Sequence, residues 1–315
     1  MTVLVTGAYG FVGTALFAKL CGDGLSVRGV VRSLSSYPDD AEIVAIGSIS
    51  SATNWKVVLK NVEQVVHLAA RAHVMNDRSV DPLTEFRRVN VEGTVALEHQ
   101  AAAAGVKRFV FLSSIKVNGE FTKQGQSFTA DDAPAPEDPY GISKYEAENL
   151  LRQIAAETGM EVVIIRPPLV YGPGVKANFQ SMMRLLARGV PLPLAAVTGN
   201  RRSLVALDNL VDLIVTCLSH PAAANQTFLV SDGEDLSTAQ LLKRLGAAMG
   251  HPARLFYLPT ALLKLGANVL NKSGVCQRLF GSLRVDTTKT RQLLAWTSPM
   301  SVDEGLRRAA QGFRP

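Results

Sequence analysis

Apolar residues come in short runs divided by longer helix-like patterns. Val3 to Thr6 is a run of buried-strand type that breaks into Gly7-Ala8-Tyr9-Gly10-Phe11-Val12-Gly13. A helical pattern follows to about Leu20, and Gly22 and Gly24 close it. Further strands are expected at Ser26 to Val31, Val44 to Ile46, Gln64 to Leu68, Phe109 to Leu112 and Val162 to Ile165. Between them, helices are expected at Asn54 to Lys60, from about Pro82 to Ala104, and from Pro139 to about Thr158, where Gly159 ends the pattern. Residues 116 to about 138 are polar and contain proline, and read as a long loop. Loops of that length are uncommon in compact domains and often functional.

Strands alternating with helices imply a parallel sheet covered on both faces. Beyond about residue 167 the alternation becomes irregular. Helices are suggested near 178–188, 208–219, 237–249 and 259–270, and strand-like pieces near 203–207 and 227–230. The expected organisation is an α/β unit over residues 1–166, to which the chain returns near 203–220. A smaller α+β region then comprises 167–202 and 221–315. No internal repeat appears, and no low-complexity tract beyond Ala101 to Ala104.

Composition narrows the class only a little. At 315 residues, 47% apolar and 19% charged, the chain is an ordinary folded protein. Its net charge of +6 is spread out, with pairs at Arg87-Arg88, Arg201-Arg202 and Arg307-Arg308 but no basic block, so no nucleic-acid partner is expected. Cys21, Cys217 and Cys276 are odd in number and lack metal-ligand spacing; no metal is expected, and a reducing compartment is. The strand pattern at Met1 to Val5 leaves no room for a signal peptide, and no run reaches the length of a membrane span. The expected location is cytoplasmic.

Candidate chemistry lies at the strand ends. Glycines at 7, 10 and 13, directly after a strand and opening a helix, let backbone N–H groups cradle a pyrophosphate. This points to a dinucleotide. At the end of the second strand, NAD binders commonly carry an acid for the ribose 2′-OH, whereas an Arg accommodates a 2′-phosphate. Here Val31 is followed by Arg32-Ser33. Arg32 is either a phosphate partner or a solvated loop residue, and the missing acid favours NADP(H), with NAD(H) the other possibility. Tyr140 and Lys144 are four apart on a helix started by Asp138-Pro139, so both lie on one face. A cation beside a phenol favours the phenolate, which suits proton transfer at an alcohol or ketone oxygen.

In order, the sequence carries the glycine motif, His67-Leu68-Ala69-Ala70, Asn90 in Val89-Asn90-Val91-Glu92-Gly93-Thr94, Ser113-Ser114 and Tyr140/Lys144. Arg166-Pro167, Val170-Tyr171-Gly172-Pro173-Gly174 and Arg202 to Leu210 follow. Together these closely resemble the extended short-chain dehydrogenases/reductases, in their nucleotide-sugar epimerase/dehydratase branch. The resemblance spans nearly the whole chain and implies a Rossmann-like doubly wound sheet with a smaller C-terminal substrate domain. It implies Tyr140 as acid/base on a sugar oxygen, Lys144 as the residue that holds the nicotinamide ribose, and Ser114 as a hydrogen-bond donor to the reacting oxygen. Cofactor contacts are expected from Gly7, Tyr9, Gly10, Phe11, Val12, Gly13, Arg32, Ser48, Ile49, Leu68, Ala69, Ala70, Asn90 and Pro167 as well as Tyr140 and Lys144. Ser113 and Asn90 read as mainly structural, Asn90 by satisfying buried backbone groups. Asn178 and Arg202 match positions that contact a UDP-sugar diphosphate, with Arg284 or Arg278 as a further partner.

Three departures matter. Asn118 replaces an aromatic frequent after the Ser pair, and Lys116 stands where a small residue is frequent. Both are expected to reshape or charge the pocket around sugar C4 to C6, with Lys116 binding substrate. Gly47-Ser48 stands where a Gly-Asp pair is often found near the adenine. Ile115 after Ser114 is not the acid of the 4,6-dehydratases. The leading expectation is 4-keto reduction of a UDP-4-keto-6-deoxy-N-acetylhexosamine for surface polysaccharide. The alternatives are a UDP-sugar 4-epimerase with tightly held NAD and a non-catalytic dinucleotide sensor. A homodimer through the helices near 82–104 and 139–158 is expected from the family.

Overall fold

A computed structural model describes residues 1–34, 42–72, 81–269, 277 and 279–314, with the side chains of 264 and 266–269 outside the description. Seven strands form one sheet: β1 (Thr2–Thr6), β2 (Ser26–Val31), β3 (Glu42–Ala45), β4 (Gln64–His67), β5 (Arg108–Leu112), β6 (Glu161–Arg166) and β9 (Thr227–Leu229). Their order is β3-β2-β1-β4-β5-β6-β9, and every pairing is parallel. The chain winds outward from β1 through β2 and β3, then restarts beside β1 at β4 and runs the other way. Ligands bind where such an order reverses, beyond the carboxyl ends of the strands.

Alternation along each strand sorts its side chains between two cores. Val3, Val5, Val110, Val163 and Ile165 face α1 (Phe11–Gly22) and α6 (Leu207–Ser219). Leu4, Phe109, Phe111, Val162 and Ile164 face α3 (Gly93–Ala103) and α4 (Pro139–Thr158), through Leu97, Ala101, Ala147 and Leu151. A strand buried on both faces must be apolar throughout, which is why these runs were legible.

The return to the sheet extends past residue 220. After β7 (Leu169–Tyr171) and β8 (Leu204–Ala206) pair with each other, α6 covers the first face and β9 at 227–229 joins the edge of β6. Arg108 fastens α6: its Nη1 donates to the carbonyls of Cys217, Leu218 and His220 at 2.8–3.0 Å, satisfying helix-end acceptors. Among the described residues, further helices are α2 (Pro82–Arg87), α5 (Ala177–Ala187), α7 (Thr238–Ala248), α8 (Thr260–Val269), α9 (Thr288–Leu294) and α10 (Val302–Gln311). Of these, α5, α7 and α10 enclose a third core around Phe179, Leu242 and Leu306.

Several expectations need correction. Asn54 to Lys60 is a series of turns, because Trp55 gives its N–H to Gln100 Oε1 and only Leu59 makes a helix-type bond back to Trp55. The helix expected over 82–104 is two helices joined by a π turn at Arg88–Glu92. β7, α9 and α10 lay outside the strands and helices expected from the sequence. The long loop begins with a 3₁₀ turn at Ile115–Val117 and is pinned to the second region: Thr122 N donates to Ser282 O at 2.8 Å and Phe128 N to Arg284 O at 2.8 Å. Cys276 and Arg278 lie outside the described residues.

Candidate active site

The first part of the site is the turn after β1. Gly7 has φ +69, and a Cβ there would meet Ala69 N at 3.0 Å. A Cβ on Gly13 would stand 2.0 Å from Gly7 O, so neither position accepts a side chain. Gly10 caps α1 without a side-chain hydrogen bond, leaving the first-turn N–H groups at Phe11, Val12 and Gly13 open to an anion. Tyr9 and Phe11 pack on the core below, Phe11 against both the first and the third cluster. Such a cradle, with a helix N-terminus and no room for a Cβ, fits a dinucleotide pyrophosphate.

The turn after β4 is held from beneath by His67. Thr94 Oγ1 donates to Asn90 O at 2.8 Å, so it accepts from His67 Nε2 at 3.0 Å. Nδ1 then accepts from Thr6 Oγ1 at 2.7 Å, and Thr6 Oγ1 accepts the N–H groups of Leu68 and Ala69, both at 3.2 Å. Burial, with Lys144 nearby, pushes the imidazole down to about 3, so it stays neutral as this relay requires. His67, Thr6 and Thr94 are the parts of the site that sequence reasoning did not assign a role. Asn90 closes the same corner. Its Oδ1 accepts from Arg71 N at 2.8 Å, and its Nδ2 donates to Arg71 O at 3.1 Å and Ser143 Oγ at 3.0 Å. It satisfies buried backbone groups and ties this turn to α4. Ala70 follows in the same turn.

At the adenosine end, Arg32 is exposed where β2 finishes, and its carbonyl accepts from Gly47 N at 3.1 Å. The Gly47-Ser48 turn therefore lies beside it. Ile49 packs against the start of α3, where a Cβ on Gly93 would meet Ile49 Cγ2 at 2.4 Å.

Tyr140 and Lys144 stand on the first turns of α4. Asp138 caps that helix, accepting Gly141 N at 2.6 Å, Pro139 occupies its first turn, and Gly159 (φ 74) ends it. Ser114, at the carboxyl end of β5, hydrogen-bonds the Tyr140 phenol. The sequence suggested a phenol pulled down by Lys144, and the geometry reverses that. Burial and, after it, the Asp138 charge push the Tyr140 phenol up to about 12, and only the Ser114 hydroxyl works the other way. Lys144 instead donates to Leu112 O at 2.8 Å and lies 4.3 Å from the Phe111 ring centroid. Its ammonium is itself buried, which lowers its pKa to about 7 against the opposing pull of Glu148. Desolvation is the leading influence on both groups.

Beneath the pair, α4 is anchored by a buried ionic network. Glu148 accepts from Ser113 Oγ at 2.6 Å and from Arg166 Nε and Nη2 at 2.9 and 2.6 Å. Arg166 Nη1 donates to Asn118 Oδ1 at 2.9 Å, and Asn118 Nδ2 to Thr129 O at 2.8 Å. Asn118 thus braces Arg166. Pro167, next in the chain, accepts Ile115 N at 3.0 Å and so backs the Ser114 loop.

The expected substrate residues divide. Lys116 is taken up by Glu120 Oε1 at 2.8 Å and by Asp138 Oδ2, so it is not a free cation for substrate. The backbones of Arg202 and Arg284 lie on neighbouring rows, because Ser203 N donates to Leu283 O and Leu283 N to Arg201 O. Arg202 Nη1 reaches Gly281 O at 3.3 Å, and Arg284 Nε donates to Asp235 Oδ2 at 2.7 Å. Asn178 is exposed in the first turn of α5. Among the described residues, no group of three or more His, Cys, Asp or Glu is placed to hold a metal ion, and no helix is long and apolar enough to cross a membrane.

Comparison with known proteins agrees with this geometry. A "UDP-glucose 4-epimerase" of Vibrio cholerae is 50% identical over 313 residues, 99% of this chain and 95% of that protein. MoeE5, solved in complex with UDP-glucuronic acid and NAD, superposes with a TM-score of 0.79 at 27% identity, covering 99% of this chain and 98% of that one. The UDP-glucose 4-epimerase of Thermotoga maritima, solved with UDP-glucose, shares the fold with a TM-score of 0.78 at 24% identity, covering 99% and 98%. The model of the "NAD dependent epimerase/dehydratase family" matches residues 3–231. The chain belongs to the NAD-dependent epimerase/dehydratase family.

Proposed function

We propose that the protein is a UDP-sugar 4-epimerase. The observation that carries this reading is the meeting of Tyr140 and Ser114 above Lys144, at the carboxyl ends of the strands, in a chain half identical to a UDP-glucose 4-epimerase. The Gly7/Gly10/Gly13 cradle would hold a dinucleotide, which would supply a hydride acceptor able to return what it takes. Tyr140 removes the proton of the sugar 4-hydroxyl and gives it back after the sugar has turned. Ser114 donates to the same oxygen and keeps it beside the phenol. Lys144 would hold the nicotinamide ribose. Arg202 and Arg284 bind the diphosphate, Arg284 by exchanging its Asp235 partner for a phosphate, and Asn178 joins them from α5. Two copies pairing through α3 and α4 complete the proposal, and light scattering reads the dimer directly.

A second reading has a specific observation behind it. β2 is followed by Arg32, with the Gly47-Ser48 turn beside it, and neither Arg32 nor Ser48 is the carboxylate that commonly selects NAD. This arrangement favours an exchangeable NADPH and one-way reduction of a UDP-4-keto-6-deoxy-N-acetylhexosamine, with Tyr140 donating its proton once. One experiment separates the two. The purified protein is denatured to identify any released nucleotide. The native protein is then offered UDP-hexoses, and separately the 4-keto sugar with NADPH. Bound NAD and interconversion of UDP-sugar epimers without net nicotinamide change support the epimerase; stoichiometric loss of the NADPH band supports the reductase.

A further inference from the structure

The net charge of +6 comes as single residues and pairs, yet it is uneven by region. Between Glu161 and Asp208, and again between Asp235 and Asp286, the chain carries thirteen Lys and Arg and no Asp or Glu. The rest of the chain holds all 27 acids against twenty Lys and Arg, and is net negative. The two acid-free stretches fold together: Leu192 N donates to Arg254 O at 2.9 Å and Phe256 N to Leu192 O at 3.0 Å. Leu192 and Leu255 pack on the third core, so alternation along this strip turns Arg254 and Phe256 outward. The Arg254 guanidinium lies over Gly189, where a Cβ would stand 3.7 Å from its Cζ, and it shares a cleft of about 540 Å³ with the exposed Arg188. Among the described residues, neither arginine has an ion-pair partner.

Large apolar side chains stand in water next along the chain. Phe256 and Tyr257 are exposed, Tyr257 by 73%, and Pro259 then leads into α8, where Leu262 and Leu265 are exposed, Leu265 by 62%. Leu262 and Leu265 are three apart and share a face, while Leu263 packs on the third core and holds the helix down. Val190, beside Gly189, is exposed as well. Apolar groups gathered in this way, rimmed by cations, mark an interaction surface.

We propose that α8 and the segment before it bind the surface of an anionic phospholipid bilayer. Arg188 and Arg254 meet headgroup phosphates, and Phe256, Tyr257, Leu262 and Leu265 sink to the boundary between headgroups and acyl chains. Tyr257 suits that boundary, with an apolar ring and a polar tip. The helix lies in the plane of the surface and does not cross it. Charge decides against a second copy of this chain. A two-fold contact would set the patch on itself, bringing Arg188 and Arg254 against like charges with no acid in either stretch to pair with them. A nucleic acid would take the arginines and leave the two leucines without a partner, whereas an anionic bilayer takes both. Arg202 and Arg284 belong to the same two stretches, so docking here holds the region of the proposed diphosphate site at the lipid surface.

The test mixes the full-length protein with vesicles of phosphatidylethanolamine and phosphatidylglycerol, and separately with vesicles of phosphatidylcholine alone, and reads bound protein by flotation. Clear preference for the anionic vesicles is expected. Arg188→Gln and Arg254→Gln are each expected to weaken binding roughly five-fold. Leu262→Ser with Leu265→Ser should weaken it by about ten-fold or more. Lys56→Gln with Lys60→Gln, exposed cations in the turns at 54–60, should leave it unchanged. All these side chains are exposed, so each variant should keep the thermal transition of the parent. Tyr257→Trp should shift its emission to the blue when anionic vesicles are added, which reports insertion. No binding, or equal binding to both vesicle types, overturns the proposal. Binding that responds to the arginines and not to the leucines is that of a general polyanion surface and overturns it too. An oligomer in free solution that the leucine pair breaks apart, with no vesicle binding by the parent, overturns it in favour of a second copy. No sugar is turned over, so the result stands whichever reaction the protein catalyses.

Discussion

The two ends of α4 do different work. Its N-terminal turn carries Tyr140, partly exposed, beside charges that sit near the surface: Asp138, Lys116 and Glu120. One turn beyond Lys144, the helix carries Glu148, locked to Ser113 and Arg166 with no exposure on the glutamate and only 2% on the arginine. Charges near water are cheap to change; charges out of water are expensive to change and hold the fold. The end proposed for proton transfer thus lies near water, and the anchoring end fixes where it stands.

Substitutions can break this contrast. Tyr140→Phe keeps the ring on Phe86 and removes the hydroxyl. It should lower kcat by ~10²–10⁴-fold with an unchanged thermal transition. If the transition falls and kcat does not, the chemical and structural ends have been exchanged. Glu148→Gln should do the reverse: stability falls by about 3–5 kcal/mol, because Arg166 is left buried without its carboxylate, as a denaturant midpoint will show. The remaining folded fraction should keep its KM.

Glu98, on α3 beside α4, sharpens the picture of what burial costs. It is fully buried and neither oxygen has a hydrogen-bond partner, and burial pushes its pKa up to about 9. The folded state therefore keeps a proton that the unfolded chain releases above its ordinary value of 4.5. The stability this gives is present below that value and is lost as pH rises toward 9. Glu98→Gln should accordingly stabilise the protein by on the order of 2 kcal/mol at pH 7, and the gain in Tm should widen between pH 5 and pH 8. The smallest effect is expected at the exposed Arg87–Glu146 pair on the outer face of α4. There Arg87→Ala should cost under about 1 kcal/mol, and less in high salt.

The parts of this site that were legible in the sequence are local. Gly7, Gly10 and Gly13 follow a strand and open a helix; Asp138-Pro139 starts a helix and Gly159 stops it; Tyr140 and Lys144 share a face by spacing alone. What was not legible depends on packing between distant segments. Lys116 meets Asp138 only because a 3₁₀ turn at Ile115–Val117 swings it back toward α4. Asn118 reaches Arg166, 48 residues on, and Arg284 reaches Asp235, 49 residues back, through the way the loop over 116–138 and the strip near 282–286 dock together. The lowered Tyr140 pKa expected from Lys144 failed for a related reason: spacing places two groups on one face but says nothing of how dry that face is. The break of the 82–104 helix at Arg88–Glu92 places Asn90 between Arg71 and Ser143, another tertiary demand that no periodicity carries.

The central claim is that Tyr140, Ser114 and Lys144 serve hydride transfer at C4 of a UDP sugar, and one isotope measurement addresses it. UDP-glucose deuterated at C4 is incubated with the purified protein, and both 4-epimers are recovered. The account predicts that the two epimers interconvert with the deuterium kept at C4 in each, and that Tyr140→Phe slows this interconversion without moving the label. Epimers whose deuterium has been replaced by solvent hydrogen, or interconversion that survives Tyr140→Phe at full rate, would contradict it.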